Sequence, residues 1–219
     1  MLLFNDKEKI VFTGDSVTDD GRLRPVGEGI HDGVGRGYVR QIETLLNVCY
    51  PERVIGIANT GISGNTSRDM RARWESDVLA LNPDYVALCI GFNDVWRQFD
   101  MPGVFHACVS PEDYRANMVA MIEMTLPRVK TMFLLTPYYV EPNKQDAMRV
   151  RMEEYADIVR RLAAQYNLPL VDLQPVFDDY LQYRYPAFIT WDRIHPGWIG
   201  SMLIAREFLR VAGFDRQVI

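Results

Sequence analysis

The sequence predicts an α/β fold, a three-layer α/β/α sandwich around a five-stranded parallel sheet. Its first sign is a series of short apolar runs rich in β-branched residues, at 9–14, 53–59, 85–91, 131–137 and 168–173. Strands that are buried on both faces of a parallel sheet have this character. The second sign is a set of intervening stretches with helical spacing, at 35–48, 66–80, 111–127, 144–166 and 198–212. Regular alternation of strands and helices is typical of parallel sheets.

The first two predicted strands end in polar and glycine-rich turns. KIVFTG is followed by DSVTDD, which places Ser16 at the carboxyl end of the first strand. RVIGIAN is followed by TGISGNTSRD, where Gly61 and Gly64 bring bare backbone close to the space above the sheet. One of the polar residues 65–67 is expected to cap the next helix.

The later strands end in residues of several kinds. YVALCIG leads into FNDVW, where Asn93 can present its amide, and the fourth strand leads into aromatics and prolines with no acid or base partner. After the fifth strand, a longer excursion reaches Asp192 and His195. Pro196 is expected to halt this Asp-x-x-His turn, and Gly197 to permit entry into the final helix.

The carboxyl ends of strands in an open parallel sheet face one ligand-binding crevice. Taken singly, each signal has an ordinary structural explanation, since Ser16 can be a turn serine, Asn93 a turn asparagine and His195 a histidine at a helix entry. Taken together, they are the parts of an acyl-transfer site.

Each of these residues has a chemical role in such a site. Ser16 is the candidate nucleophile, His195 the base that accepts its proton, and Asp192 the group that orients the imidazole. Negative charge that develops on a carbonyl oxygen needs fixed donors. The Ser16 N–H, the Gly64 N–H and the Asn93 side chain are the candidates.

Composition excludes several other classes of protein. The chain has 219 residues, 48% hydrophobic and 24% charged, which suits one domain spanning 1–219. A net charge of −5 with dispersed basic residues gives no support for nucleic-acid binding. No apolar run approaches membrane-spanning length, and the N-terminal residues do not resemble a secretory signal, so a cytoplasmic protein is expected. The three cysteines form no Cys-x-x-Cys pair, so we expect reduced, mostly buried thiols and no metal.

Four motifs occur in an order that resembles the SGNH (GDSL-type) hydrolase superfamily. They are GDS at 14–16, GISGN at 61–65, GFND at 91–94 and DRIHP at 192–196. The resemblance spans the whole chain and implies a flavodoxin-like fold. It also implies a Ser16, Asp192 and His195 triad, with oxyanion donors from Ser16, Gly64 and Asn93.

Longer stretches, GDSVTDDGRLRPVGEG, GISGNTSRDMRARW, GFNDVWRQFD and WDRIHP, are similar to intracellular bacterial acetylxylan esterases of this superfamily. This likeness implies a serine esterase that removes acetyl groups from xylo-oligosaccharides or related sugars without a metal or cofactor. It also implies a homo-oligomer, in the form of a ring-like octamer.

Residues near the predicted site suit a sugar ester. Trp96, Phe99 and Trp191 offer aromatic faces to a sugar ring, and Arg97 and Glu28 offer hydrogen bonds to hydroxyls. The same aromatic side chains also suit a protein core or a subunit interface. For Trp191, a sugar platform and an oligomer contact both remain open.

Two alternatives to a sugar esterase remain. A thioesterase or lysophospholipase would keep the triad and act on longer acyl chains. A non-catalytic flavodoxin-like module would hold an anion at helix N-termini, but it gives Ser16, Asn93 and His195 no joint purpose. The other histidines and serines are given ordinary loop, interface or capping roles: His31, His106, Ser63 and Ser67.

Overall fold

A parallel five-stranded sheet lies at the centre of the computed structural model, as the sequence predicts, in the order β2-β1-β3-β4-β5. Its strands are β1 Lys9–Gly14, β2 Gly56–Asn59, β3 Tyr85–Cys89, β4 Thr131–Leu135 and β5 Leu170–Val171. The structure describes residues 1–29 and 31–215, so part of the predicted span 1–219 lies outside the described residues.

The connections between strands are mainly helical. The α-helices are α1 Ser16–Asp19, α2 Tyr38–Cys49, α3 Ser67–Ala72, α4 Trp74–Asp77, α5 Phe92–Asp100, α6 Pro111–Thr125, α7 Ala147–Tyr166, α8 Leu173–Leu181 and α9 Trp198–Val211. Three single turns of 3₁₀-helix occur at Leu79–Leu81, Phe105–Ala107 and Pro186–Phe188.

Several element predictions were wrong in detail, and the second strand begins at Gly56 rather than at residue 53. No helix was predicted directly after β3, yet α5 begins there and buries Phe92 and Val95 on one side. The fifth strand is shorter than 168–173, because Leu173 already begins α8 and is fully buried there. The helix predicted at 66–80 is broken at Arg73, whose guanidinium donates to the carbonyl oxygens of Gly14 and Thr60.

Helices cover both faces of the sheet. The ring of Phe12 on β1 contacts Tyr38 of α2 and Phe208 of α9, with centroids 6.0 and 5.1 Å away. Its neighbour Thr13 points to the opposite face and donates to the sulfur of Met70 on α3. The helices α2, α8 and α9 pack together, and α3, α5, α6 and α7 form a second chain of packed helices.

The close approach of two strands determines one residue of the first motif. Gly14 at the end of β1 is paired with Cys89 at the end of β3. A Cβ atom at Gly14 would lie 2.2 Å from the Cys89 carbonyl oxygen, so no other residue fits without moving the strands. The carboxyl ends of β2, β1 and β3 are therefore neighbours, and the chain that follows each of them enters the same crevice.

Candidate active site

Ser16 is presented by a short helix at the carboxyl end of β1. Asp15 is the N-cap of α1, and its Oδ1 accepts the Val17 N–H at 3.1 Å. Ser16 is the first residue of that helix and is half-buried. Its Oγ lies 2.7 Å from Nε2 of His195, which is 179 residues away in the chain.

Asp192 and His195 form a compact loop that is closed by its own hydrogen bonds. Nδ1 of His195 lies 2.5 Å from Oδ2 of Asp192. The other carboxylate oxygen, Oδ1, accepts the backbone N–H groups of Ile194 at 3.0 Å and His195 at 2.8 Å. Because one oxygen holds the backbone and the other holds the ring, the imidazole is aimed with Nε2 toward Ser16.

The chain after β4 anchors this loop. The Tyr138 hydroxyl donates to the Ile194 carbonyl at 2.9 Å, and the Val140 N–H donates to the Arg193 carbonyl at 2.9 Å. Gly197 precedes α9, as its predicted role in the helix entry requires, and its N–H donates to the Ile189 carbonyl at 2.7 Å. The fourth strand end thus positions the histidine without contributing an acid or base.

The surroundings of the pair keep Asp192 ionised and make the His195 imidazole more basic. The hydrogen bond to Asp192 raises the pKa of His195 above its usual value, against the opposing effect of burial. Burial alone would raise the pKa of Asp192, but hydrogen bonds from the His195 side chain and from two backbone N–H groups outweigh it and hold that pKa below its usual range. Asp192 is therefore ionised wherever His195 titrates.

Two further carboxyl groups lie buried beneath the site. Burial, reinforced by repulsion from Asp94, raises the pKa of Asp15 to about 7, and its Oδ2 has no hydrogen-bond partner within residues 1–29 and 31–215. Burial raises the pKa of Asp94 to about 6, although it accepts hydrogen bonds from the N–H and Oγ of Ser67. Asp94 thereby joins the start of α5 to the start of α3.

The glycine-rich loop between β2 and α3 exposes its backbone to the crevice. Gly64 has φ +84°, and a Cβ atom there would meet no other atom within 4 Å. The loop is tied to β1 by the Ile62 N–H, which donates to the Gly14 carbonyl at 3.0 Å. Asp19 accepts both the N–H and the Oγ of Ser63 at 2.9 Å. Gly64 is therefore held in place through its neighbours.

Asn93 lies in the first turn of α5 with its side-chain amide bonded at both ends. The Nδ2 group donates to the Asn65 carbonyl at 3.0 Å, and Oδ1 accepts from Nη2 of Arg97 at 3.0 Å. Asn93 is 3% exposed. Since the amide has two N–H bonds, one remains for a ligand in the crevice.

Two backbone N–H groups beside the triad have no protein acceptor among the described residues. In the part of the chain that the structure describes, the N–H groups of Ser16 and Gly64 donate to no backbone or side-chain oxygen. Groups of this kind, fixed in advance, are what an oxyanion hole requires. The structure joins Ser16, His195 and Asp192 by hydrogen bonds, and it ties Asn93 to the carbonyl of Asn65, the residue after Gly64. The oxyanion hole stays a prediction.

Aromatic rings border the histidine. Trp191 stacks on the His195 ring with centroids 6.1 Å apart and planes 8° apart, and it is 84% exposed. Trp96 approaches the same ring from another side at 5.8 Å. Phe99 lies on the exposed side of α5. Glu28, predicted to bind hydroxyls, instead lies near Lys9 at the start of β1, away from the crevice.

The predicted capping roles of two serines were wrong. Thr66 caps α3, accepting from Asp69, while Ser63 and Ser67 donate to the carboxylates of Asp19 and Asp94. Their hydroxyls are thus engaged in structural hydrogen bonds.

Other side chains lie away from the triad or form no site. His31 and His106 are exposed. The three cysteines are free thiols, of which Cys89 is buried while Cys49 and Cys108 are half-buried, so the expectation of mostly buried thiols was wrong. Among residues 1–29 and 31–215, no group of three potential ligands is placed to hold a metal ion, and no helix is long and apolar enough to span a membrane.

Sequence reasoning missed the residues that support the site. Arg73 ties Gly14, Thr60 and the Asn65 side chain together, the last at 2.7 Å from its Nε. Tyr138 holds the histidine loop. Arg73 lies in the stretch 61–74 that carries the family resemblance, but outside the four short motifs, and Tyr138 lies in none of the quoted stretches. The arrangement of the strands brings both residues to the site.

Comparison with known proteins identifies the family. Residues 12–202 match the model of the GDSL-like Lipase/Acylhydrolase family. An acetylxylan esterase from Geobacillus stearothermophilus is 47% identical over 208 residues, 95% of each chain. The crystal structure of Axe2, an acetylxylan esterase from the same organism, superposes with a TM-score of 0.96 at 46% identity, covering 98% of each chain.

A second solved structure is equally informative. LAE5, an α/β hydrolase enzyme from the metagenome of Lake Arreo, has a TM-score of 0.95 at 47% identity and covers 98% of this chain and 99% of its own. The family model covers most of the sequence, and the relatives match it nearly end to end. The chain belongs to the GDSL-like lipase and acylhydrolase family of carboxylic ester hydrolases.

Proposed function

We propose that this protein is a serine esterase that removes acetyl groups from acetylated xylo-oligosaccharides or related sugars. The observation that carries the proposal is the pair of hydrogen bonds from Ser16 to His195 and from His195 to Asp192, at 2.7 and 2.5 Å. The names of the relatives support the acetyl sugar as substrate. Solved Axe2 variants described as catalytic mutants replace a serine, a histidine and an aspartate, the same three residue types.

In the first half-reaction, Ser16 Oγ attacks the acetyl carbonyl carbon. His195 Nε2 accepts the hydroxyl proton, while the Asp192 carboxylate stabilises the imidazolium that results. When the tetrahedral intermediate collapses, the bond from the carbonyl carbon to the sugar oxygen breaks. The imidazolium returns its proton to that oxygen, so the sugar leaves as a neutral alcohol and the acetyl group stays on Ser16.

In the second half-reaction, water takes the place of the sugar. His195 accepts a proton from the water as its oxygen attacks the acetyl carbon, and it then gives this proton to Ser16 Oγ as the ester bond breaks. The acetyl group leaves as acetic acid, which loses its proton to solvent to give acetate, and the enzyme regains its starting state.

The oxyanion of both intermediates is assigned to three donors. They are the backbone N–H groups of Ser16 and Gly64 and the second N–H of the Asn93 amide. Donors that are fixed by surrounding hydrogen bonds need no reorganisation as charge develops, which is why such groups lower the barrier. The bonds to Ser63, Ile62 and Asn65 described above provide that fixation.

The sugar is assigned to the aromatic border of the crevice. Trp96 and Trp191 flank His195, where the leaving sugar oxygen must receive its proton. Aromatic faces pack well on the apolar faces of sugar rings. Arg97 stays a predicted contact to a sugar hydroxyl.

The cytoplasmic location stays a prediction from the sequence.

We propose further that the chain forms a homo-oligomer through an aromatic face. This face consists of five large exposed side chains: Tyr183, Tyr185, Phe188, Trp191 and Trp198. Exposed apolar surface of this kind is unusual on a monomer and marks interaction sites. An assembly through it would place a second copy beside Trp191, at the mouth of the crevice. For the octamer that the family resemblance implies, the mass is eight times the 25.3 kDa of one chain.

The decisive experiment follows acetate release from acetylated xylo-oligosaccharides by the wild type and Ser16→Ala. We expect turnover to fall on the order of 10⁶-fold, because the triad acts as a unit. Ser76→Ala, an exposed serine, is the matched control and should be fully active. Retained activity in Ser16→Ala would refute the mechanism.

Two further measurements address the substrate and the class of protein. Faster hydrolysis of octanoyl than of acetyl esters would favour the enzyme class that acts on longer acyl chains. A fluorophosphonate should label Ser16 covalently, and an unlabelled protein would point to a binding module.

A further inference from the structure

Arg97 contacts the side chain that is assigned to the oxyanion hole. We propose that Arg97 is a positioning residue, which orients and polarises the Asn93 amide so that its free N–H serves the oxyanion. The inference rests on the oxyanion role of Asn93 in the proposed function. It gives Arg97 a task different from the sugar contact that the sequence suggested.

The geometry sets the orientation of the amide. Arg97 follows Asn93 by one helical turn on α5, and its Nη2 donates to Oδ1 at 3.0 Å, while Nδ2 donates to the Asn65 carbonyl at 3.0 Å. A flipped amide would set its NH₂ against the guanidinium and its oxygen against a carbonyl. Both flipped contacts are repulsive, so the amide is fixed with its free N–H available to the crevice.

The positive charge of Arg97 adds a second effect. A guanidinium that is bonded to the amide oxygen draws electron density from the nitrogen, which strengthens the remaining N–H as a donor. Asn93 is 3% exposed, so solvent screens the amide end of this interaction little. An oxyanion would therefore meet a stronger donor than an isolated asparagine provides.

Other side chains of α5 hold Arg97 in place. Its Nη1 forms an ion pair with Asp100, and its guanidinium lies over the Trp96 ring, 5.6 Å from the centroid. The Arg97 side chain is 23% exposed. These contacts hold the guanidinium at the amide oxygen, and the partial exposure makes the site tolerant of substitution.

The test uses p-nitrophenyl acetate beside acetylated xylo-oligosaccharides, because the former has no sugar hydroxyls. For Arg97→Met we expect kcat to fall about 10-fold on both substrates with KM nearly unchanged, a part of the 10²- to 10³-fold loss that follows removal of a whole oxyanion donor. Arg97→Lys should retain more of kcat, because it keeps a charged donor. Arg210→Met, which also removes an arginine paired with an acid three residues away, is the control and should be fully active.

A double-mutant cycle separates positioning from other roles. If Arg97 acts through Asn93, then Asn93→Ala with Arg97→Met should be no slower than Asn93→Ala alone. Melting temperatures are measured for all variants. A merely structural role of Arg97 would lower the melting temperature and leave the losses of kcat from the two substitutions additive.

Distinct results overturn the inference. If Arg97→Met loses activity on the acetylated xylo-oligosaccharide alone, through a raised KM, then Arg97 is a substrate contact. An unchanged kcat in Arg97→Met, or additive losses of kcat in the cycle, also refutes it. If Asn93→Ala keeps full activity, the oxyanion role assigned to Asn93 under the proposed function is wrong. If Asn93→Ala is slow while Arg97→Met has a normal kcat, only the role of Arg97 is overturned.

Discussion

His195 combines two demands that oppose each other. As a base it must be neutral when the substrate arrives, yet the Asp192 carboxylate 2.5 Å from its Nδ1 favours the protonated ring. The same bond fixes the tautomer with the proton on Nδ1, which leaves Nε2 free to accept from Ser16. Stronger basicity therefore comes with a loss of activity at acidic pH.

The pH profile should show this directly. Because the pKa of His195 is raised by its hydrogen bond to Asp192, kcat/KM should rise with pH through a midpoint above the ordinary imidazole value of about 6.5. Asp192→Asn should lower that midpoint and reduce kcat on the order of 10⁴-fold. The measurement is kcat/KM from pH 5 to 9, and a wild-type midpoint below 6.5 would contradict it.

Asp15 predicts a pH dependence of stability. Its pKa is about 7 in the folded chain against an ordinary 3.8, so from pH 4 to 7 the folded state keeps a proton that the unfolded state loses. Stability that is present below pH 4 is therefore lost as pH rises through 7. Asp15→Asn keeps an oxygen for the Val17 N–H and cannot ionise.

Urea unfolding at pH 4 and pH 8 tests this sign. The free energy of unfolding of Asp15→Asn, relative to wild type, should increase between the two pH values by a few kcal/mol. The exposed Asp32→Asn is the control and should show little change. If the free energy of unfolding differs between Asp15→Asn and wild type by the same amount at both pH values, then Asp15 has an ordinary pKa.

At the scale of elements, the site is assembled from the starts of helices. Ser16 opens α1, Asn93 lies in the first turn of α5, and Gly64 lies three residues before α3. Each helix start must be held firmly, because a displacement of about 1 Å at a catalytic group can cost two orders of magnitude in rate. Thr66 performs this task for α3, and the Asp69 carboxylate accepts hydrogen bonds from its N–H and Oγ at 2.9 and 2.7 Å.

Two N-caps can be compared to measure how far a firmly held helix start contributes to turnover. Thr66→Ala and Ser110→Ala each remove an N-cap, from α3 and α6, and each should lower the free energy of unfolding by about 1 kcal/mol. Only Thr66 adjoins Asn65, whose carbonyl accepts from Asn93, so only Thr66→Ala should also lower kcat several-fold. Equal turnover in the two variants would mean that the cap does not position the loop.

The sequence predicts the residues at the strand ends better than the residues whose hydrogen bonds hold them in place. Apolar runs fix which loops meet at the sheet edge, so Ser16, Gly64, Asn93 and the Asp192 and His195 pair can be placed from their order. The helix α5 was missed because Gly, Asn and Asp at its start are also turn residues. Arg73 and Tyr138 act on carbonyl groups brought near them by tertiary structure, and no local pattern marks such a partner.

At the scale of the whole molecule, the sheet order explains how residues at the two ends of the chain meet. β1 lies inside the sheet between β2 and β3, so Ser16 is central, while the chain that follows β5 returns across the top to bring His195 over it. This return leaves the segment around residues 183–198 on the outside, where the aromatic face is exposed. The connection that completes the triad thus also creates the apolar surface.

A substitution on this face tests whether it joins copies of the chain. Trp198 is 85% exposed at the first position of α9, where an acidic side chain is favourable for the helix, so Trp198→Asp should fold normally and yet place a charge in the interface. We expect light scattering to show a multiple of 25.3 kDa for the wild type and a smaller assembly for Trp198→Asp. Phe105→Asp, equally exposed at 82% but outside this face, should keep the wild-type mass. An unchanged mass in Trp198→Asp would exclude Trp198 from an interface, and a monomeric wild type would exclude the whole aromatic face and leave Trp191 free to contact the sugar.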